Sequence, residues 1–150
     1  MSTEVVVAEV TAANVRKACD LRVHPEQEPF VAPVAVSLAE AYVYPSAWPR
    51  LLMEGEEVVG FVMAGFNPDD EVEAFRCGIW RLNISAGAQG RGLGRIAVEA
   101  VAAEARRRGN TRLTVLWEPG EAGPEAFYLR LGFRETGEIL FGEKVGVLEL

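Results

Sequence analysis

Cysteine and histidine are almost missing from this chain of 150 residues: it has Cys19, Cys77 and His24 and no others. Two distant thiols and one imidazole cannot build a disulfide framework or a zinc centre, so no metal is expected. Basic residues are in deficit, with 15 Lys and Arg against 22 Asp and Glu and a net charge of −7. A nucleic-acid partner calls for a basic footprint and is therefore not expected. The acidic excess mildly favours a cationic ligand, although carboxylates scattered in this way serve solubility first. No apolar run approaches the ~20 residues that cross a bilayer. Met1-Ser2-Thr3-Glu4 lacks the basic start of a secretory signal. The expectation is a cytoplasmic protein without membrane contact. Repeats, low-complexity tracts and linkers are also lacking, so residues 1–150 are expected to form one domain.

What the chain does have is a succession of strand and helix signals. Glu4 to Val10 reads as a strand, and Thr11 as the cap of a helix from Ala12 to about Leu21, ended by His24-Pro25. Pro25, Pro29 and Pro33 predict an irregular loop over 25–36. Ser37 with Glu40 three positions on looks like a capping box for a short helix, Leu38 to Tyr42. Arg50–Met53 and Val58–Phe66 form a predicted hairpin around Glu54-Gly55-Glu56, and Glu73–Ile84 a further strand. A helix from Arg95 to Arg108 places Leu93, Ile96, Ala97, Ala100, Val101 and Ala105 on one side and stops at Gly109. Strand Thr111–Trp117, a short helix from Pro124 to Arg130, and strands Phe133–Ile139 and Glu143–Leu150 complete an α/β chain.

The densest signal is Gln89-Gly90-Arg91-Gly92-Leu93-Gly94, between the strand ending at Ile84 and the helix opening at Arg95. Glycines tolerate positive φ and close approach. A helix N-terminus leaves amide N–H groups unpaired at the positive end of the dipole, which makes a phosphate or pyrophosphate site. A P-loop would need a lysine followed by Ser or Thr, and none follows. Gly92-Leu93-Gly94-Arg95-Ile96-Ala97 does match a dinucleotide fingerprint, with Glu118 placed to hold a ribose. However, Ser85 to Gln89 intervene between strand and glycines, and little chain is left for a second nucleotide-binding half.

In Gln89, Gly92 and Gly94 the loop resembles the acyl-CoA motif of the GNAT superfamily of N-acetyltransferases, Gln/Arg-x-x-Gly-x-Gly/Ala. Tyr128-Leu129-Arg130-Leu131-Gly132-Phe133 is similar to that superfamily's Tyr-x-x-Leu-Gly-Phe element. Gln27–Pro33, Ser37–Tyr42, Gly60–Met63 and Ile79–Leu82 further resemble bacterial spermine/spermidine (diamine) acetyltransferases. The resemblance implies a GNAT fold, a central mixed but mostly antiparallel sheet of about seven strands with about four helices. It implies acetyl-CoA as co-substrate, a small polyamine or diamine as acceptor, and a homodimer. Acetyl-CoA would lie in a V between the strands ending at Ile84 and Trp117. Leu82, Asn83 and Ile84 would meet its pantetheine, one of their amides serving the oxyanion, and Gly90 to Arg95 its pyrophosphate. Tyr128 would be the acid for the leaving thiolate.

The base stays open among Glu28, Glu40, Glu73 and Glu118, each as easily a solvated carboxylate. Glu28, Glu40, Trp80 and Glu118 are the candidate acceptor contacts. Trp48, Phe75 and Trp80 could border the acceptor cleft or simply pack in the core. Two positions depart from the family pattern: Glu121 where relatives carry a cofactor-contacting Asn, and Pro124 where Ala is common. An ionised Glu121 cannot donate a hydrogen bond. The alternatives are therefore an acetyltransferase acting on peptide N-termini or other amines, and a catalytically silent CoA-binding protein.

Overall fold

The computed structural model describes residues 4–150. Seven strands form one sheet: β1 (Val5–Ala8), β2 (Ala47–Glu54), β3 (Glu57–Phe66), β4 (Cys77–Ile84), β5 (Arg112–Trp117), β6 (Arg134–Leu140) and β7 (Glu143–Glu149). Four α-helices accompany it: α1 (Val15–Cys19), α2 (Val34–Val43), α3 (Leu93–Arg107) and α4 (Glu125–Arg130). The order of elements along the chain is the one the sequence predicts. In space the strands run β1-β2-β3-β4-β5-β7-β6, and every neighbouring pair is antiparallel except β4 and β5.

Alternation along the strands supplies two cores. Phe61 and Met63 of β3, with Leu51 of β2, pack on Ala18, Leu21 and Val34 of the α1–α2 side. Val62, Ala64 and Leu52 point the other way, onto Ala97, Val101 and Ala105 of α3. Side chains of period two on a sheet covered on both faces give a nearly continuous apolar run, as Val58 to Phe66 shows. Leu93, Ala97, Val98, Val101, Ala102 and Ala105 form the buried stripe of α3. Val98 and Ala102 thus take the places expected of Ile96 and Ala100, a rotation of the buried face by a fraction of a turn.

Several local expectations fail. Thr11 does not cap a long helix. Its amide donates to Asn14 Oδ1 at 2.8 Å, Asn14 is the N-cap, and α1 has five residues. Ser37 is no cap either: α2 starts three residues earlier, behind Pro33, and Ser37 is fully buried in its interior. Glu40 of the supposed capping box instead meets Arg81 across the chain, at 3.0 Å. Within the predicted loop, Pro25–Phe30 forms a 3₁₀ turn, in which the His24 amide donates to Gln27 Oε1 at 3.1 Å. Glu73–Phe75 is another 3₁₀ turn, so β4 begins only at Cys77.

The parallel pair is short. It consists of Gly78 opposite Thr114 and Ile79 opposite Val115. The Thr114 hydroxyl sits between the carbonyls of Ala74 and Cys77, 3.1 Å from the latter, and gives its one proton to that pair. A Cβ at Gly78 would lie 2.7 Å from Thr114 Oγ1 and 3.2 Å from the Ala74 and Thr114 carbonyl oxygens. Gly78→Ala is therefore expected to cost ~1–3 kcal/mol by overpacking. Gly87→Ala, whose Cβ meets nothing within 4 Å, should stay within ~0.5 kcal/mol. Urea denaturation of the two variants checks the contrast.

Candidate active site

Beyond Ile79 and Val115 the parallel strands part, and β4 from Trp80 to Ile84 has no partner on that side. The gap opens into a cleft of about 1570 Å³ bordered by Leu82 and Ile84 of β4, Leu116 and Trp117 of β5, the glycine loop, α4 and the Gln27–Pro33 segment. Where β4 splays it also carries an extra residue. Met63 pairs with Arg81 and Ala64 with Ile79, leaving Trp80 unopposed. Cys77 and Ile79 before this bulge, and Leu82 and Ile84 after it, all pack toward the α3 core, although the residue numbers switch from odd to even. Trp80 and Arg81 both face the α2 side: Trp80 packs edge-on to Tyr44 at 5.6 Å, and Arg81 meets Glu40. A one-residue bulge of this kind re-aims side chains.

On the opposite side of the cleft lies the glycine loop. Gly90 and Gly92 have φ of +81° and +79°, and Gly92 is the N-cap of α3. The first turn of α3 contains no acidic residue, and its first helical bond runs from the Ile96 amide to the Gly92 carbonyl at 3.3 Å. The Leu93, Gly94 and Arg95 amides therefore remain available to an anion. A Cβ at Gly94 would lie 2.7 Å from Phe127 Cζ, so only glycine lets α3 approach α4 this closely.

Of the loop residues predicted to hold the cofactor, Gln89, Gly90, Gly92, Leu93, Gly94 and Arg95 line the cleft. The side chain of Gln89 is already used inside the protein. Its Nε2 donates to Ile84 O at 3.0 Å and Gln27 Oε1 at 2.7 Å, and its Oε1 accepts from Gln27 Nε2 at 3.1 Å. Arg91 turns away from the cleft to Glu54, whose carboxyl it holds below the usual carboxylate range. Asn83 is buried, donates from Nδ2 to Ala32 O at 3.0 Å, and does not border the cleft. Glu121 is exposed and lies outside the lining. Negative charge at that position is thus kept off the cleft wall.

Tyr128 lines the cleft, only 5% exposed, held from three directions. Trp117 stacks on it at 5.8 Å and 14°, while Phe127 and Phe133 meet it edge-on at 5.0 and 5.4 Å. Burial raises its phenol pKa far above the usual value, so the hydroxyl keeps its proton. Trp117 is positioned in turn by Glu125 Oε1, which accepts from its Nε1 at 3.3 Å and from Lys144 Nζ at 2.9 Å.

The carboxylates sort unevenly. Glu28 and Glu118 border the cleft, whereas Glu40 and Glu73 do not. Glu40 is committed to Arg81, and Glu73 is an exposed residue of the 3₁₀ turn. Trp80 and Phe75 line the cleft, while Trp48 packs on Phe66 in the core. Sequence reasoning missed Glu143, the first residue of β7, which enters the cleft lining. Its pKa is raised, first by burial and then by the nearby negative charge of Glu118, with Arg81 acting against both. No motif marks it. The only available signal was the Phe141-Gly142 turn that places it at the start of β7. Among the described residues, no group of three or more His, Cys, Asp or Glu could hold a metal ion, and no helix is long and apolar enough to cross a membrane.

A family model described as the acetyltransferase (GNAT) family matches residues 13–133. Among solved structures, the chain is similar to an acetyltransferase from Thermus thermophilus, with 25% identity, 100% of both chains covered and a TM-score of 0.77. It is also similar to a ribosomal-protein-alanine N-acetyltransferase from Brucella melitensis, with 20% identity, 97% and 99% coverage of this chain and that one, and a TM-score of 0.70. A GNAT family acetyltransferase from Elizabethkingia anophelis with acetyl-CoA bound shows 17% identity, 97% and 98% coverage and a TM-score of 0.65. The latter two are likenesses of fold. No protein of curated function matches the sequence significantly.

The Tyr128 cage depends on Gly146 of β7, where a Cβ would sit 2.6 Å from Trp117 Cη2. Gly146→Ala should displace Trp117, lower stability by ~1–3 kcal/mol and shift the near-ultraviolet circular dichroism of the aromatic cluster. Unchanged stability and spectrum would show that the cage has slack that the contacts do not suggest.

Proposed function

The chain belongs to the acetyltransferase (GNAT) family, and we propose that its acceptor is a primary amine of a small polyamine or diamine, acetylated by direct attack. The observation that carries this reading is the composition of one cleft. The free amides of α3 and the protonated Tyr128 share it with Glu28, Glu118 and Glu143 and with the rings of Tyr44, Phe75 and Trp80. Of the cations in the same lining, Arg81 beside these acids is paired with Glu40, while Arg95 and Arg130 belong to α3 and α4. Carboxylates and aromatic faces together suit an alkylammonium ligand.

Acetyl-CoA supplies the acetyl group as an activated thioester. The residues present fit it. Gly90 to Arg95 offer amides without a competing acid in the first turn of α3, and the free edge of β4 from Leu82 to Ile84 can pair with an amide-bearing arm as an added strand would. An amide of the same edge is the donor for the acyl oxygen. A primary amine with pKa near ~10.4 arrives mostly charged. Glu143, whose affinity for a proton is raised, takes that proton, directly or through water. Tyr128, kept neutral by burial, gives its own to the departing sulfur. A homodimer in the cytoplasm, as the family resemblance implies, belongs to the same reading; sedimentation of the purified protein tests the dimer.

Purified protein with acetyl-CoA should acetylate spermidine, spermine and diamines in preference to aminoglycosides and peptides. Turnover confined to peptide N-termini would sink the small-amine acceptor and favour the peptide alternative. Tyr128→Phe should lower kcat ~10²–10⁴-fold with acetyl-CoA affinity retained, as loss of a general acid does; full activity would remove Tyr128 from the proton path. The profile of kcat/KM should rise with pH through a pKa above the ordinary carboxylate range, because Glu143 accepts a proton only when ionised and its pKa is raised. Glu143→Gln should abolish that limb, and a limb left in place would assign it to another group.

A further inference from the structure

The tip of the β6–β7 hairpin is built against the preference of its own backbone. Leu140 pairs with Glu143, so Phe141-Gly142 is a two-residue turn, with φ of +52° and +79°. Turns with two positive φ values favour Asn, Asp or Gly, because a Cβ there crowds the following carbonyl. Phe141 is the one non-glycine residue with positive φ among the described residues. Burial does not repay the strain: the side chain is 85% exposed. What the ring does meet is Phe75, in a parallel stack with centroids 6.0 Å apart and planes at 13°.

Phe75 belongs to the turn just ahead of β4, and Phe141 to the turn just ahead of β7. The stack therefore joins two separate elements along the cleft, where both rings are part of the lining with Trp80 and Glu143. A bulky residue held in a disfavoured conformation, exposed, and aimed at a cleft is placed for a ligand rather than for folding. Its chemistry is apolar and π-rich, and the proton acceptor is two residues along the same hairpin.

We propose that Phe141 is a specificity-determining residue of the acceptor site. With Phe75 it forms a wall along which the methylene chain of a primary alkylamine lies, its reactive end directed at Glu143. The acceptor class is thus an amine on a hydrocarbon chain of several carbons, and chain length is what the wall reads. This inference rests on the amine acetyltransferase reading.

The test is steady-state kinetics with a homologous series of α,ω-diamines, on wild type, Phe141→Asn and Phe141→Tyr. Asn accepts positive φ, so Phe141→Asn keeps the turn and should melt at or above the wild-type temperature. Wild-type kcat/KM should climb with each added methylene, about twofold to fourfold for one that becomes buried. In Phe141→Asn the acceptor KM should rise about tenfold for the longer diamines, and the dependence on chain length should flatten. The acetyl-CoA KM should stay put, and Phe141→Tyr should keep the wild-type dependence. A wild-type chain-length dependence surviving in Phe141→Asn overturns the inference and leaves the enzyme reading standing. So does a lowered melting temperature in that variant without a change in acceptor KM. Wild-type protein that neither acetylates nor binds any amine overturns the proposed function, and this inference with it.

Discussion

Everything distinctive about this protein depends on how briefly β4 and β5 stay together. Two residue pairs hold the one parallel contact among the described strands, and Thr114 pins them by reaching the carbonyls of Ala74, in the turn before β4, and Cys77, its first residue. A longer pairing would close the cleft, and no pairing would let the β1–β4 half of the sheet drift from the β5–β7 half. Gly78 is the residue that lets the seam be tight at one end, since even a methyl there would contact Thr114 and two carbonyls. Pairing stops at Ile79 and Val115, and the bulge at Trp80 comes directly after it. The glycine loop, Tyr128 and Glu143 sit around that opening because their elements end there.

Bulges divide the labour of the two faces. In β3, Leu52 pairs with Gly60 and Met53 with Val58, so Val59 is extra, and it packs in the α3 core while Val58 turns to the α1–α2 side. In β4 the same device at Trp80 puts two consecutive side chains on the α2 face. A regular strand would have sent Arg81 toward α3, where its charge would meet an apolar core and no carboxylate. The bulge lets Glu40 neutralise it at 3.0 Å instead, and a charge paired in this way tolerates partial burial that an isolated one would not.

Local chemistry was legible in the sequence, and long-range placement was not. The strand–glycine–helix succession around Gln89–Gly94 was legible as a turn with open φ values feeding a helix N-terminus, because its physics is contained in about ten residues. The order of the strands and helices followed from periodicity for the same reason. Ser37 misled because its spacing to Glu40 is a local signature that a distant partner overrode: Arg81 captured the carboxylate, and Pro33 offered an earlier start to the helix. Gln89 matched its motif, yet its side chain closes on Gln27, sixty-two positions away. Such a pairing leaves no trace in either segment alone. Glu143 was invisible because what makes it unusual is its burial and then the company of Glu118 and Arg81, which reach it from just past the end of β5 and from β4.

One physical cause, loss of water, raises the pKa of both Tyr128 and Glu143. Desolvation disfavours the charged form of any acid. For Tyr128, walled by Trp117, Phe127 and Phe133, this means a phenol that stays protonated. For Glu143, less deeply placed and facing Glu118, it means a carboxylate that ionises later than usual and holds a captured proton more firmly. Tyr128 is caged and Glu143 stands nearer solvent, so in the proposed reaction a proton accepted at Glu143 has the shorter way to water. Burial thus falls across the splayed strands, from the aromatic cage of α4 to the hairpin end of β7, and in the proposed reaction the more exposed of the two groups is the one that must ionise.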